Sequence, residues 1–430
     1  MMKGIVALVR GGKTFVDQIY ASCQALQIEL YVISSKTVDD TLISNMSAKA
    51  SVMKVIEQSE LDEDSILGFV ETLKKQNKQV LGCISVWENY RTLMSSVNKA
   101  LSVQDMELEQ VELLRDKFQL RQALRQHNLS HVNSRVLTET LFTQLVEEEA
   151  DAFIKPRCGI ASYGAFKLKP ETKWQQITAI AEQIQTDVVF STSFAQKVEF
   201  VVEDYIPGIE FCFEIIQHQG RCHVIAIHEK IEVGEQALTT LENVSASPPI
   251  SLQRSEIESA NAWVVSIFDR LQLGNGCYHL EAKFDGKQWE VIEINPRIGG
   301  SYINESVEHV SGYSLLELWI RSLLSEDSND YLSLLKQLSP QSEHFFDRER
   351  GAYFRAFFAE PNKTIRKLQF NSDIPTVHQK LLMAAGQITP DANRELFVAQ
   401  ALWSWPVSQS REQIQKQIRR SESALEVEYE

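Results

Sequence analysis

Two strand-like runs, Cys277–Phe284 and Gln288–Asn295, meet through Asp285-Gly286, and this pair constrains the chain more than any other segment. Alternating runs on either side of Asp-Gly form an antiparallel hairpin. Strand side chains alternate faces. Glu293, Asn295 and Arg297 therefore share one face while the second strand stays extended, and Glu281 shares a face with His279 and Lys283 on the first. The turn decides whether the two faces coincide. A strict two-residue turn would set Glu281 and Glu293 on opposite sides. An odd-length loop, with Gly286 left-handed and a bulge, would set them together. The odd-length loop is the expectation.

The hairpin needs a sheet, and the neighbouring sequence supplies strands: Val198–Ile206, Ile209–Gln217 and Cys222–Lys230. Between Gly234 and Pro249 the chain turns polar and ends Ser245-Ala246-Ser247-Pro248-Pro249, which predicts a loop. Upstream, Ile5–Val9 reads as a buried strand, Gly11-Gly12 as a tight turn, Phe15–Leu26 as an amphipathic helix and Leu30–Ser34 as the next strand. That order is a βαβ unit of the doubly wound kind, and Val80–Val86 adds another strand. Leu108–Gln126 reads as one helix, Ser134–Leu137 as a strand, Asp151–Leu168 as two strands about a glycine-bearing turn, and Lys173–Gln185 as a helix. Ser325–Asp330 is polar and acidic, a boundary. Strands follow near Ala352–Phe358 and Leu396–Leu402, and a charged helix closes the chain from Ser410.

Composition narrows the partners. The net charge is −15 with no long basic run, so a nucleic-acid backbone is not an expected ligand. Six cysteines stand singly at 23, 83, 158, 212, 222 and 277, which fits reduced thiols better than disulfides or a zinc site. No stretch reaches the ~18 apolar residues of a membrane span, and the expected location is the cytoplasm. An acidic chain that handles an anion must build a local positive pocket, which directs attention to lysines near glycines.

Three segments meet that description or complement it. On the hairpin, Glu281, Glu293 and Asn295 are hard oxygen ligands suited to Mg2+ shared with phosphate oxygens. The plain alternative is a surface strand with solvated acids. Arg297 just beyond can grip a carboxylate or phosphoryl group through its planar fork, or form a surface ion pair. Phe153-Ile154-Lys155-Pro156 runs into Arg157-Cys158-Gly159-Ile160-Ala161-Ser162-Tyr163-Gly164. Backbone N–H groups of such a loop can approach phosphate while the lysine supplies a point charge; a simple hairpin turn is the alternative. Finally, Glu203-Asp204-Tyr205-Ile206-Pro207-Gly208-Ile209-Glu210 offers an extended edge for a purine and a glutamate for ribose hydroxyls, or else an ordinary strand connection.

The order and spacing of these segments, with Glu281 followed by Glu293-Ile294-Asn295-Pro296-Arg297, resemble the ATP-grasp superfamily over residues 110–325. The resemblance implies an α/β (α+β) ATP-grasp fold. Residues 1–115 would be a doubly wound pre-grasp domain and 116–205 the small subdomain. Residues 206–430 would be the large subdomain, with a mixed α/β lobe from about 326. It implies that Lys117 and Lys155 contact ATP phosphates and that Gly159–Gly164, including Ser162, closes over them. Glu203 would take the adenine amino group with Tyr205 and Ile206 beside it through backbone, and Glu210 would hold the ribose. Glu281, Glu293 and Asn295 would ligate Mg2+, with Mn2+ able to substitute. Arg297 would stabilise an acyl phosphate, and Lys230 would touch the γ-phosphate. His228 lies on the face of Lys230 and reads as a structural imidazole.

Asn-Pro-Arg-Ile-Gly-Gly-Ser at 295–301 is most similar to amino-acid ligases of the bacilysin and dapdiamide type. Biotin-dependent carboxylases carry Gln-Val-Glu where this chain has Gly-Gly-Ser. The implied reaction turns a carboxylate into an acyl phosphate that an amine captures, releasing ADP and phosphate, in antibiotic-type dipeptide synthesis. Carboxylase-like or purine-pathway chemistry, or a catalytically inactive ATP-binding regulator, are the alternatives. The implied partners are a small carboxylate and an amine, with a homodimer as the default assembly.

Overall fold

A computed structural model of the chain describes residues 2–11, 15–187, 191, 194, 197–324, 329–371 and 373–430. Gly12 of the expected Gly11-Gly12 turn and residues 325–328 of the expected boundary lie outside the described residues. The first sheet is parallel, with strands β1 (Met2–Val9), β2 (Glu29–Ser34), β3 (Val52–Val55) and β4 (Lys78–Ile84) in the order β3-β2-β1-β4. Ile5–Val9 is fully buried, as expected of a parallel strand covered on both faces. Helices 16–25, 40–49, 63–75 and 91–100 provide the cover.

The second sheet is antiparallel: β5 (Ser134–Val136), β6 (Ala152–Pro156), β7 (Phe166–Lys167) and β8 (Phe200–Asp204), ordered β5-β8-β6-β7. Period-two alternation sorts its faces. Ala152, Ile154, Phe200 and Val202 pack under helices 139–147 and 174–186, which leaves Phe153, Lys155 and Glu203 on the other face.

The third sheet spans β9 (Ile209–His218), β10 (Arg221–Glu235), β11 (Thr240–Ser247), β12 (Gly276–Phe284), β13 (Trp289–Asn295) and β14 (Arg350–Phe358). Beyond β15 (Ile365–Phe370) come β16 (His378–Leu381), β17 (Phe397–Pro406) and β18 (Leu425–Tyr429). The order of the eight-stranded sheet is β13-β12-β9-β10-β11-β14-β17-β16, and β15 pairs with β18 apart from it. Strands of the C-terminal lobe thus extend the same sheet that carries the hairpin. Phe211, Phe213, Ile215, Tyr278, Leu280 and Ile294 pack with Val264, Ile267 and Phe268 of the helix Arg254–Leu271. The opposite face meets helices 303–311 and 315–323, the second of which also touches β4 of the first sheet. No helix among the described residues is long and apolar enough to cross a membrane.

Three expectations are corrected. The stretch Leu108–Gln126 is two helices, Leu108–Arg115 and Lys117–Gln126, because Asp116 leaves the helical region and caps the N–H groups of Phe118 and Gln119. The polar stretch Gly234–Pro249 is mostly strand: β10 runs to Glu235 and β11 pairs with both β10 and β14. Its polarity has a cause, since Thr240, Glu242 and Ser245 line a cavity while Val244 and Ala246 enter the core. The hairpin loop is not odd-length. Phe284 faces Trp289 across four residues, with Asp285 accepting the N–H groups of Lys287 and Gln288 at 2.8 Å each.

Candidate active site

The even loop should have separated Glu281 from Glu293, yet the two stand directly opposite each other. The extra residue lies inside β13: Glu281 pairs with Glu293 and Ala282 with Val291, so Ile292 is bulged. Ile292 and Glu293, adjacent in sequence, consequently line the same cavity. Distant cations take the carbonyls at the bulge. Arg121 donates to Val291 O at 2.7 Å, and Lys155 Nζ approaches Ile292 O at 3.4 Å. Stacking of Phe284 on Trp289, centroids 4.6 Å apart, holds the register on the loop side.

A cavity of about 430 Å³ between the second and third sheets gathers Lys117, Lys155, Gly159, Ser162, Glu203, Tyr205, Ile206, Glu210, Lys230, Glu281, Glu293 and Arg297. Asn295 and Gly164 are not among its lining residues. Asn295 is buried behind Glu293, to which its side-chain amide donates at 2.7 Å. Gly164 gives its N–H to Asn393 O, and a Cβ on it would come within 2.7 Å of Ile180. Its role is therefore to turn the chain at φ +64. The N–H of Tyr205 is likewise committed, to Asp151 O at 3.0 Å, which leaves Ile206 to offer a backbone donor. Thr239 Oγ1 donates to Ser162 O at 2.8 Å and Thr240 Oγ1 to Ala165 O at 3.2 Å, tying the small-residue loop to the β10–β11 hairpin.

Four cations of the cavity, Lys117, Lys155, Lys230 and Arg297, are balanced by carboxylates, while Lys283 lies over the Tyr205 ring. Lys117 lies 3.0 Å from Glu293 and also donates to Gly159 O. Lys155 lies 2.8 Å from Glu203, which Arg121 grips through Nε and Nη2 at 3.2 Å. Burial raises the Glu203 carboxyl, but Lys155 and Arg121 together outweigh it and bring it down to about 2. Burial and then Arg121 make Lys155 easier to deprotonate, against the pull of Glu203. Arg297 donates to Glu88 through Nε at 3.0 Å and Nη2 at 2.8 Å, so the first sheet's edge helps hold it.

Lys230 is fully buried among three acids, pairing with Glu210, with Glu242 at 2.6 Å and with Glu281 at 2.8 Å. Burial disfavours its charge, but Glu210, Glu242 and Glu281 raise it well above the ordinary lysine value. One cation cannot neutralise three carboxylates. Burial first, then Glu281 and Glu210, push Glu242 up to about 7 despite Lys230. Glu281 goes the other way, held well below its usual range once Lys230 and His279 offset burial. His228 is fully buried beside this group; Ser306 Oγ lies 3.0 Å from its Nε2, and burial lowers the ring to about 4. It does not line the cavity.

Glu242, Glu88 and Arg121 were not singled out from the sequence. Glu242 was hidden in the segment read as loop, and Glu88 reaches Arg297 across 209 positions. Arg121 left a signal, since it stands beside Leu120 and Leu124 on the buried stripe of its helix.

Residues 149–305 match the model of the ATP-grasp domain. The chain contains an ATP-grasp domain. The surrounding architecture is an ATP-grasp fold, as three solved structures show. An L-amino acid ligase from Bacillus licheniformis superposes with a TM-score of 0.75 at 18% identity, covering 99% of each chain. The biotin carboxylase domain dimer of Hydrogenobacter thermophilus 2-oxoglutarate carboxylase, solved with MgADP and bicarbonate, gives 0.70 at 13%, covering 99% of this chain and 90% of that one. A phosphoribosylglycinamide synthetase from Anaerococcus prevotii gives 0.65 at 13%, covering 100% of each. No curated protein matches the chain by sequence.

The acidic residues of the ATP-grasp domain fit a divalent cation. One oxygen from each of Glu210, Glu242 and Glu281 lies within 4.8 Å of the others, and Glu293 faces Glu281 on the same surface. Carboxylate oxygens at that density, with lysines near enough to bind phosphate, are the donor set Mg2+ selects.

Proposed function

We propose that this protein is an ATP-dependent carboxylate–amine ligase that forms an amide between two small molecules, most specifically amino acids, with ADP and phosphate as products. The observation that carries the reading is the bulge that sets Glu281 opposite Glu293 beside Lys117, Lys155 and Lys230. Ile206 and Glu203 would read the purine edge, and Glu210 the ribose. Glu203 uses three of the roughly four acceptor sites of a carboxylate on Arg121 and Lys155, so one remains for an amino group. Lys117 and Lys155 would take phosphate oxygens, with loop N–H groups of Gly159–Ser162 above them. Glu281 and Glu293 would hold Mg2+, or Mn2+ in its place, with Asn295, which lies behind the cavity wall, orienting Glu293 through its amide. When bound, that ion would neutralise charge on the phosphate oxygens.

A carboxylate is a poor electrophile until its oxygen accepts the γ-phosphoryl group. Lys230 sits where it can follow that group, and Arg297, whose Nη1 also donates to Ile298 O, can offer its remaining N–H groups to the acyl phosphate. The amine then attacks the acyl carbon and phosphate leaves. The loop 159–164, tied to Thr239 and Asn393, would keep water off the anhydride. Phe15, Val86, Trp87, Ile303, Phe354 and Phe397 also line the cavity, which suits an acid with an apolar side chain. The Bacillus ligase supports the amino-acid reading by its fold. We also propose a homodimer, checked by light scattering.

The test is a phosphate-release screen of paired amino acids and small acids with MgATP, with products resolved by mass spectrometry. Amine-dependent ADP release is expected. AMP formation, or release that depends on bicarbonate alone, would overturn the reading.

A further inference from the structure

The two oxygens of Glu281 have different partners. Oε2 meets Lys230 at 2.8 Å, an ammonium on a flexible stem shared with two other acids. Oε1 meets His279 Nε2 at 3.2 Å. The other ring nitrogen, Nδ1, lies 2.7 Å from Glu214 Oε1. Glu214 is fully buried on β9, directly opposite His279 on β12. Both ring nitrogens therefore face carboxylate oxygens. The ring borders the cavity on one side and the Gly299 backbone on another. A Cβ on Gly299 would lie 2.7 Å from His279 Nδ1, so the loop that follows Arg297 packs its backbone onto the imidazole. One oxygen of Glu281 thus faces an exchangeable partner, and the other a ring clamped between a buried acid and a glycine.

We propose that His279, backed by Glu214, is a positioning residue that fixes Oε1 of Glu281, so that Oε2 alone is handed from Lys230 to the divalent cation. This deepens the ligase reading and rests on it. A carboxylate held at one oxygen keeps its free oxygen aimed into the cavity. Without the ring it can rotate, turn both oxygens to Lys230, and offer none to a metal. Groups that hydrogen-bond a ligating carboxylate cost 10–100-fold in metal affinity when removed. His279 touches no reacting atom in this arrangement and acts through Glu281.

The probe is Mn2+ with ADP, its free ion counted by electron paramagnetic resonance. His279→Ala should weaken Mn2+ binding to the ADP-loaded protein by about tenfold, while ADP affinity without metal stays within about twofold. His279→Gln, which keeps one amide donor for Glu281, should recover part of the loss. Turnover at saturating Mn2+ should return further toward wild type than turnover at limiting Mn2+, a split that a general packing defect would not give. Wild-type Mn2+ affinity in folded His279→Ala overturns the proposal. If that variant does not fold, Glu214→Gln, which keeps every heavy-atom position, should weaken Mn2+ by at least about threefold; no change in folded Glu214→Gln overturns it equally. A wild-type protein that binds no Mn2+ with ADP would instead remove the ligase reading, and this inference with it.

Discussion

Arg121→Met tests whether buried charge holds Glu203 and the bulge together. The Arg121 guanidinium contacts both oxygens of Glu203, Glu290 at 2.7 Å, Ser130 and the carbonyl of Val291. Glu203 is held at about 2 rather than its ordinary 4.5, with burial opposed by Lys155 and Arg121. That depression corresponds to about 3 kcal/mol in favour of the charged form. Because the folded value is the lower one, this contribution is complete above pH 4.5 and drains away as the pH falls toward 2. Removing one partner of a buried ion pair costs roughly 3–5 kcal/mol. Arg121→Met should therefore destabilise the protein by that amount at pH 7 in urea titrations followed by tryptophan fluorescence. At pH 3.5 wild type has already lost part of the Glu203 contribution, so the gap should narrow by about 1 kcal/mol. A gap below about 1 kcal/mol at pH 7, or one that does not change with pH, would refute the electrostatic account.

Other outcomes follow from the same geometry. Glu293→Ala should abolish ATP-dependent product formation while circular dichroism stays unchanged; retained turnover would remove Glu293 from the metal set. Gly299→Ala drives a methyl against His279 and Ile303 and should cost about 1–3 kcal/mol, whereas Gly300→Ala, which meets open space, should leave the melting temperature unchanged. His228 is held by burial at about 4, below the ordinary 6.5. Its neutral form supports the fold above pH 6.5, and that support falls as pH drops through 6.5 toward 4. His228→Gln should thus abolish about 2 kcal/mol of the stability lost between pH 7 and pH 5, read by urea titration at both values.

Legibility differed from segment to segment for physical reasons. Lys155 and Glu203 were readable because a strand with one core face leaves alternate residues on the other, and both side chains do line the cavity. Glu242 was not readable, since a strand with a polar, site-facing side looks like a loop in sequence. The single helix expected over 108–126 failed at one residue, Asp116, whose side chain found better partners in the capped N–H groups and in Arg157.

The sequence by itself determined the hairpin strands, the doubly wound opening, and most of the acids and lysines that line the cavity. Those follow from local periodicity and turn chemistry, which act over a few residues. Tertiary structure alone decided that Glu281 and Glu293 share a face. The four-residue loop set the wrong parity, and an added residue at Ile292 restored it, its neighbouring carbonyls drawn to Arg121 and Lys155 from well over a hundred positions away. Side-chain facing in a sheet changes with a single residue of register, so contacts that distant decide it.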